Sequence, residues 1–81
     1  MQKSANKPLG KDEVLQRFGA VVRLLRDERK LTQEQLAELS GMHVTYISQV
    51  ERGIKNLSLY NLHRLAEALE VSPAALFEAA Q

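Results

Sequence analysis

The segment Ser40–Gly53, SGMHVTYISQVERG, decides how the chain is read. Two glycines bracket it, and Val44, Ile47 and Val50 recur every three positions. That spacing lines apolar side chains along one face of a helix. The other positions hold Thr45, Tyr46, Ser48 and Gln49. A helix that needs only to be soluble more often carries Glu and Lys. Hydrogen-bonding side chains of short or medium reach suit a face that touches something. The spacing predicts a helix over about residues 44–52, started by the mediocre N-cap His43 and stopped by Gly53.

Working outward, a sharply bounded helix precedes it. Thr32 is a good N-cap, Gln35 completes a capping box, and Leu31 and Leu36 stand at the staple positions on either side. Leu36, Ala37 and Leu39 are expected to face inward, and Gly41 to end the helix in the left-handed region. Upstream, Val14, Phe18, Val21, Val22 and Leu25 form the stripe of a helix over about residues 13–30, interrupted by Gly19. Downstream, Ser58 caps a helix carrying Leu62, Leu65, Ala66 and Leu69 to about Glu70. Ser72 and Pro73 then start a last helix to about Ala80. Leu57 with Leu62, and Val71 with Leu76, repeat the staple. With no sustained β alternation, the pattern is an all-α, compact five-helix domain over residues 12–81. Residues 1–11 are polar, without periodicity, and read as a flexible tail. Lys3, Lys7 and Lys11 in it suit either a basic arm or plain disorder.

Composition narrows the classes of function. The 81 residues allow one domain, and 44% apolar content is that of a globular chain. There is no cysteine, hence no disulfide or thiolate metal site, in keeping with a reducing cytoplasm. No run of about 18 apolar residues spans a membrane, and MQKSANKPLG lacks the apolar core of a signal peptide. The net charge of +1 hides an asymmetry: residues 1–64 carry +4 and residues 65–81 carry −3. A positive body with an acidic end fits a polyanion surface at one place and something else at the other, or uneven surface charge with no partner. His43 and His63 have no further ligands at metal spacing, no catalytic triad or carboxylate pair is apparent, and no metal, cofactor or enzymatic activity is expected.

The proportions of the second and third helices, about seven and nine residues around a glycine turn, are those of a helix-turn-helix over about residues 33–52. The second helix of such a motif enters the major groove of double-stranded DNA. Ile47 and Val50 would anchor it, while Val44, Thr45, Tyr46, Ser48 and Gln49 lie at or beside the opposite face. Gln49 can pair bidentately with adenine, Thr45 can bond a base or touch a thymine methyl, and Val44 offers only apolar contact. Tyr46 can reach a base or a phosphate.

Here the sequence resembles a known family. LTQEQLAELSGMHVTYISQVERG followed by NLSLYNLHRLAEALEVSPAALF looks like the phage-repressor-type (Xre/Cro-like) helix-turn-helix domain, over about residues 18–77. The portion TYISQVERGIKNLSLYNL is most similar to controller proteins of restriction–modification systems, small dimeric regulators that bind operators near their own genes. The resemblance implies a phosphate or base contact at Gln33, base reading at Val44, Thr45, Tyr46, Ser48 and Gln49, and a backbone grip by Arg52, Lys55 and Asn56. It also implies a buried ion pair between Arg26 and Glu51. Val44 departs from the family, where a polar or basic residue often stands, so more is expected of Thr45, Gln49 and DNA shape.

Simpler roles stand beside these. Gln33 is also a good helix residue beside its cap, Arg52 also complements a helix dipole, and Lys55 alone decides nothing. Tyr46 also fits a ring packed in the core with its hydroxyl outward. Because one recognition helix reads few base pairs, a homodimer on a pseudo-palindromic operator is expected. Leu76 and Phe77 in the acidic end offer its interface, or else only cap the monomer core. Glu67 or Glu70 can supply a contact to RNA polymerase. The reading is therefore an autoregulatory transcriptional regulator, and the alternative is an antitoxin that binds a toxin and uses DNA binding for autoregulation.

Overall fold

The computed structural model describes residues 8–81. The readings placed on Lys3 and Lys7 lie outside the described residues. Five helices follow in order: α1 (Lys11–Glu28), α2 (Gln33–Ser40), α3 (Val44–Glu51), α4 (Leu59–Ala68) and α5 (Pro73–Ala79). There is no strand among the described residues, and no helix long and apolar enough to cross a membrane. Helix α1 packs on α3 and α5, α2 on α3 and α4, and α4 on α5. Val22, Leu36, Ile47, Val50, Leu65, Leu69 and Leu76 are the fully buried centre where these packings meet.

Caps fix where the helices start. Thr32, Ser58 and Ser72 accept hydrogen bonds from the backbone N–H of Gln35 (3.0 Å), Asn61 (3.1 Å) and Ala75 (3.0 Å). The Gln35 side chain returns a bond to the Thr32 N–H at 2.8 Å and closes the capping box. His43 works as a cap after all, its Nδ1 accepting from the Thr45 N–H at 3.1 Å. Helix α1 starts at Lys11, earlier than the sequence suggests, because Glu13 accepts from the Gly10 N–H at 3.2 Å. The domain therefore takes in Lys11 from the expected tail.

The helix ends share one device. Lys30 (φ 58°), Gly41 (70°), Gly53 (75°) and Glu70 (61°) all adopt the left-handed conformation. In each case the N–H of the following residue reaches back five positions: Leu31 to Arg26 (3.1 Å), Met42 to Ala37 (2.9 Å), Ile54 to Gln49 (3.0 Å) and Val71 to Ala66 (3.0 Å). These bonds satisfy carbonyls that the helix leaves open. Leu31 and Val71 thus close one helix from the positions at which the sequence predicts a staple for the next. Helices α1 and α4 stop at Glu28 and Ala68, short of the expected 30 and 70, because Lys30 and Glu70 themselves take the left-handed conformation that ends the helix.

One expected core residue is corrected. Leu39 is 61% exposed, whereas Leu36, Ala37 and Ser40 face inward. Ser40 tolerates burial because its hydroxyl donates to the Leu36 carbonyl at 2.7 Å. Gly19 is buried where α1 meets α3, with the carbonyls of Val50 and Glu51 directly against it.

Candidate nucleic-acid interface

Helix α3 is anchored by Ile47 and Val50, both fully buried. On a helix of 3.6 residues per turn the opposite side belongs to Thr45, Gln49 and Arg52, flanked by Ser48 and Tyr46. Thr45 and Arg52 are exposed, and Ser48 and Gln49 are half-buried. Val44 is different: it is half-buried and packs against the core, on the inner edge of α3. Lys55 is exposed beyond the helix, with Nζ 5.8 Å from the centroid of the Tyr46 ring. Tyr46 combines both roles open to it, its ring packing against the core while its hydroxyl is engaged by Asn61. Asn56 is exposed but lies apart from this face, lining an apolar cleft between α1, α4 and α5.

The frame that holds α3 is ionic. Glu51, with its side chain 3% exposed, accepts from Arg26 Nε at 2.6 Å and Nη2 at 3.0 Å. It also accepts from Gln33 Nε2 at 3.0 Å. Arg26 Nη1 donates to the Leu31 carbonyl at 2.8 Å. One carboxylate therefore ties α1, α2 and α3 together. The bond to Glu51 holds the Arg26 guanidinium above its usual pKa, against the opposing pull of burial, so the guanidinium stays charged. The arrangement also turns the one acid of α3 inward, leaving the outer face without a carboxylate. Gln33 is seated at the first turn of α2, next to α3, with one amide N–H committed to Glu51.

A second arginine was not foreseen. Arg64 of α4 donates from Nε to the Ser40 carbonyl at 3.1 Å and from Nη2 to the Gly41 carbonyl. Its Nη1 donates to Asn61 Oδ1 at 3.4 Å, and Asn61 Nδ2 donates to Tyr46 Oη at 3.0 Å. Arg64 thus clamps the turn between α2 and α3. Sequence gives no signal for it, because its acceptors are main-chain carbonyls 23 and 24 residues away.

The expected interface pair Leu76 and Phe77 is split. Leu76 is 1% exposed and belongs to the monomer core, seated there as the staple partner of Val71, so it is withdrawn from any surface. Phe77, on the other side of α5, is 50% exposed.

A helix clamped by two arginines, with a polar and basic outer face, defines a helix-turn-helix DNA-binding domain. The helix-turn-helix family profile matches residues 22–76, and the chain belongs to that family, in its phage-repressor-type branch. Control protein C.BamHI of Bacillus amyloliquefaciens is 42% identical over 62 residues, 75% of this chain and 76% of that protein. The structure of the restriction-modification controller protein C.AhdI from Aeromonas hydrophila matches with a TM-score of 0.75 at 47% identity, over 76% of this chain and 94% of that one. The controller protein C.Esp1396I, solved as a tetramer in complex with its natural 35 base-pair operator, matches with a TM-score of 0.76 at 37% identity, over 83% of this chain and 88% of that one.

Proposed function

We propose that this chain is a transcriptional regulator that binds double-stranded DNA as a homodimer, on a pseudo-palindromic operator near its own gene, in the manner of restriction–modification controllers. The observation that carries the reading is the outer face of α3: Thr45, Ser48, Gln49 and Arg52 point away from the core while Glu51 is turned inward and neutralised. Thr45, Ser48 and Gln49 read base edges, and Tyr46 joins them from the flank. Arg52, Lys55 and the free part of Gln33 grip phosphates, while Asn56, on the cleft side, is not counted with them. Val44 contributes at most an apolar edge.

Two recognition helices about 34 Å apart fit successive major grooves. The surface that pairs the protomers is the apolar cleft of about 230 Å³ lined by Val14, Leu15, Phe18, Leu59, Leu62 and Phe77. Leu59 (81% exposed) and Phe77 (50%) stand open on it. The same reading makes the chain a cytoplasmic binding protein with no catalytic role. It leaves exposed Glu67 for RNA polymerase, since Glu70 is shared with Arg29 at 3.4 Å.

The test is a gel-shift titration with the DNA upstream of the gene against a scrambled duplex of equal length. A preference of about a thousandfold, with cooperative or two-step loading, is the expected result. Equal, strongly salt-dependent binding to both duplexes would overturn the reading. Within the same assay, Gln49→Ala is expected to lose about 1–3 kcal/mol on the operator and little on the scrambled duplex. Arg52→Ala is expected to weaken both and to shallow the salt slope by about one unit.

A further inference from the structure

We infer that Asn61 and Arg64 fix the polarity of Tyr46, so that its hydroxyl faces DNA as a hydrogen-bond donor and selects an acceptor on a base edge. The inference rests on the DNA-binding reading above and adds to it a positioning pair on α4, a helix that does not enter the groove.

The argument follows from which groups can only donate. A guanidinium carries N–H groups and no acceptor. Arg64 is held in place by the Ser40 and Gly41 carbonyls, and its remaining nitrogen, Nη1, faces Asn61 at 3.4 Å. The atom of Asn61 that meets it must therefore be the amide oxygen. That places the amide nitrogen toward Tyr46, where Nδ2 donates to Oη at 3.0 Å. A phenolic oxygen that accepts from Asn61 keeps its own hydrogen for another partner. Among the described residues Oη accepts from Asn61 and donates to no protein acceptor, so that hydrogen is left for a partner outside the domain. Two donors in series thus leave Tyr46 a donor.

In the major groove a donor is met by guanine O6 and N7, adenine N7 and thymine O4, while cytosine presents its N4 amino group. Tyr46 is therefore expected to disfavour cytosine at the base it reaches. Asn61→Asp reverses the chain. The introduced carboxylate accepts from both Arg64 and Tyr46, which uses the hydroxyl hydrogen internally and leaves only an acceptor toward the base. Preference at that position then moves toward cytosine or the N6 group of adenine.

The experiment selects binding sites from a duplex pool randomised over about 20 base pairs, enough for two half-sites one turn apart. The full chain is used as wild type, Asn61→Asp, Tyr46→Phe, and the double variant. The expected result is a threefold to tenfold change in base preference, about the range of one hydrogen bond, at one position per half-site for Asn61→Asp. The change vanishes in the Tyr46→Phe background. A merely structural role would lower affinity for all sequences alike and would not reverse a base preference. An unchanged preference in Asn61→Asp, or an equal change with and without the tyrosine hydroxyl, overturns the inference and leaves the DNA-binding reading intact. A wild type that selects no sequence overturns both. Should Asn61→Asp melt too low to assay, Asn61→Ala frees the hydroxyl to donate or accept, and the preference is expected to broaden; a preference as sharp as wild type would overturn the inference.

Discussion

Gly19→Ala is expected to destabilise the domain by about 2–3 kcal/mol, although alanine is the better helix former by about 1 kcal/mol. The two effects have opposite signs, and the structure decides between them. A β-carbon at position 19 would stand 2.7 Å from the Glu51 carbonyl oxygen and still nearer that of Val50. Both obstacles are backbone, so no side-chain rotation relieves the clash. Helix α1 has to withdraw from α3, and the withdrawal pulls on the pair formed by Arg26 and Glu51. For a domain of this size the loss corresponds to about 10–20 °C in the thermal midpoint. A melt followed by circular dichroism checks it, and a midpoint equal to or above that of the parent chain would show that the helices are not in backbone contact.

Removing the carboxylate of Glu51 is expected to cost more. Glu51→Ala leaves Nε and Nη2 of the Arg26 guanidinium, with a side chain only 12% exposed, without their acceptors, and frees the Gln33 amide as well. Breaking a buried pair from one side costs about 3–5 kcal/mol. That is a large part of the stability of about 5–15 kcal/mol typical of a small domain. The thermal midpoint is expected to fall by about 15–30 °C. Replacing both partners together by apolar residues of similar volume is expected to restore most of the loss, because no charge is then stranded. Chemical denaturation of the single and double variants reads the coupling directly, and near-additive losses would remove the pair from its role as the frame of α3. Titration of Arg26 itself adds no pH dependence in the ordinary range: its pKa is raised, so the stability it contributes through this group is fully present below the unfolded value and is lost only in strong alkali.

What the sequence disclosed, and what it hid, follows one physical division. Signals written within a few residues were legible. Thr32 with Gln35, Ser58, and Ser72 with Pro73 mark helix starts because capping is local, and each start was located to within a residue. Gly41 and Gly53 mark helix ends for the same reason, as the residue type with the freest access to positive φ. Lys30 and Glu70 adopt the same conformation without announcing it, since neither residue type marks a left-handed position as glycine does. The buried face of α3 was legible from the period of Ile47 and Val50. Val44 falls in the same period and leans inward with them, against the base-reading position that the resemblance implies for it. Leu76 and Phe77 are adjacent and both apolar, and only the packing of α5 separates a core residue from a surface one. Arg64 was invisible because its partners are carbonyls, which every residue possesses.

Both arginines that hold the helix-turn-helix come from outside it, one from α1 and one from α4. The motif is thus a tenant in a scaffold, and an excised peptide of residues 33–52 would lack both of its fasteners. The same division of labour makes the chain a convenient chassis for retargeting. Thr45, Ser48 and Gln49 make no side-chain bond to the frame among the described residues, so under the proposed DNA-binding reading an exchange of these three would change the operator addressed while Arg26, Glu51 and Arg64 keep α3 at the same angle. Evolution within such a lineage can change its vocabulary without touching its grammar.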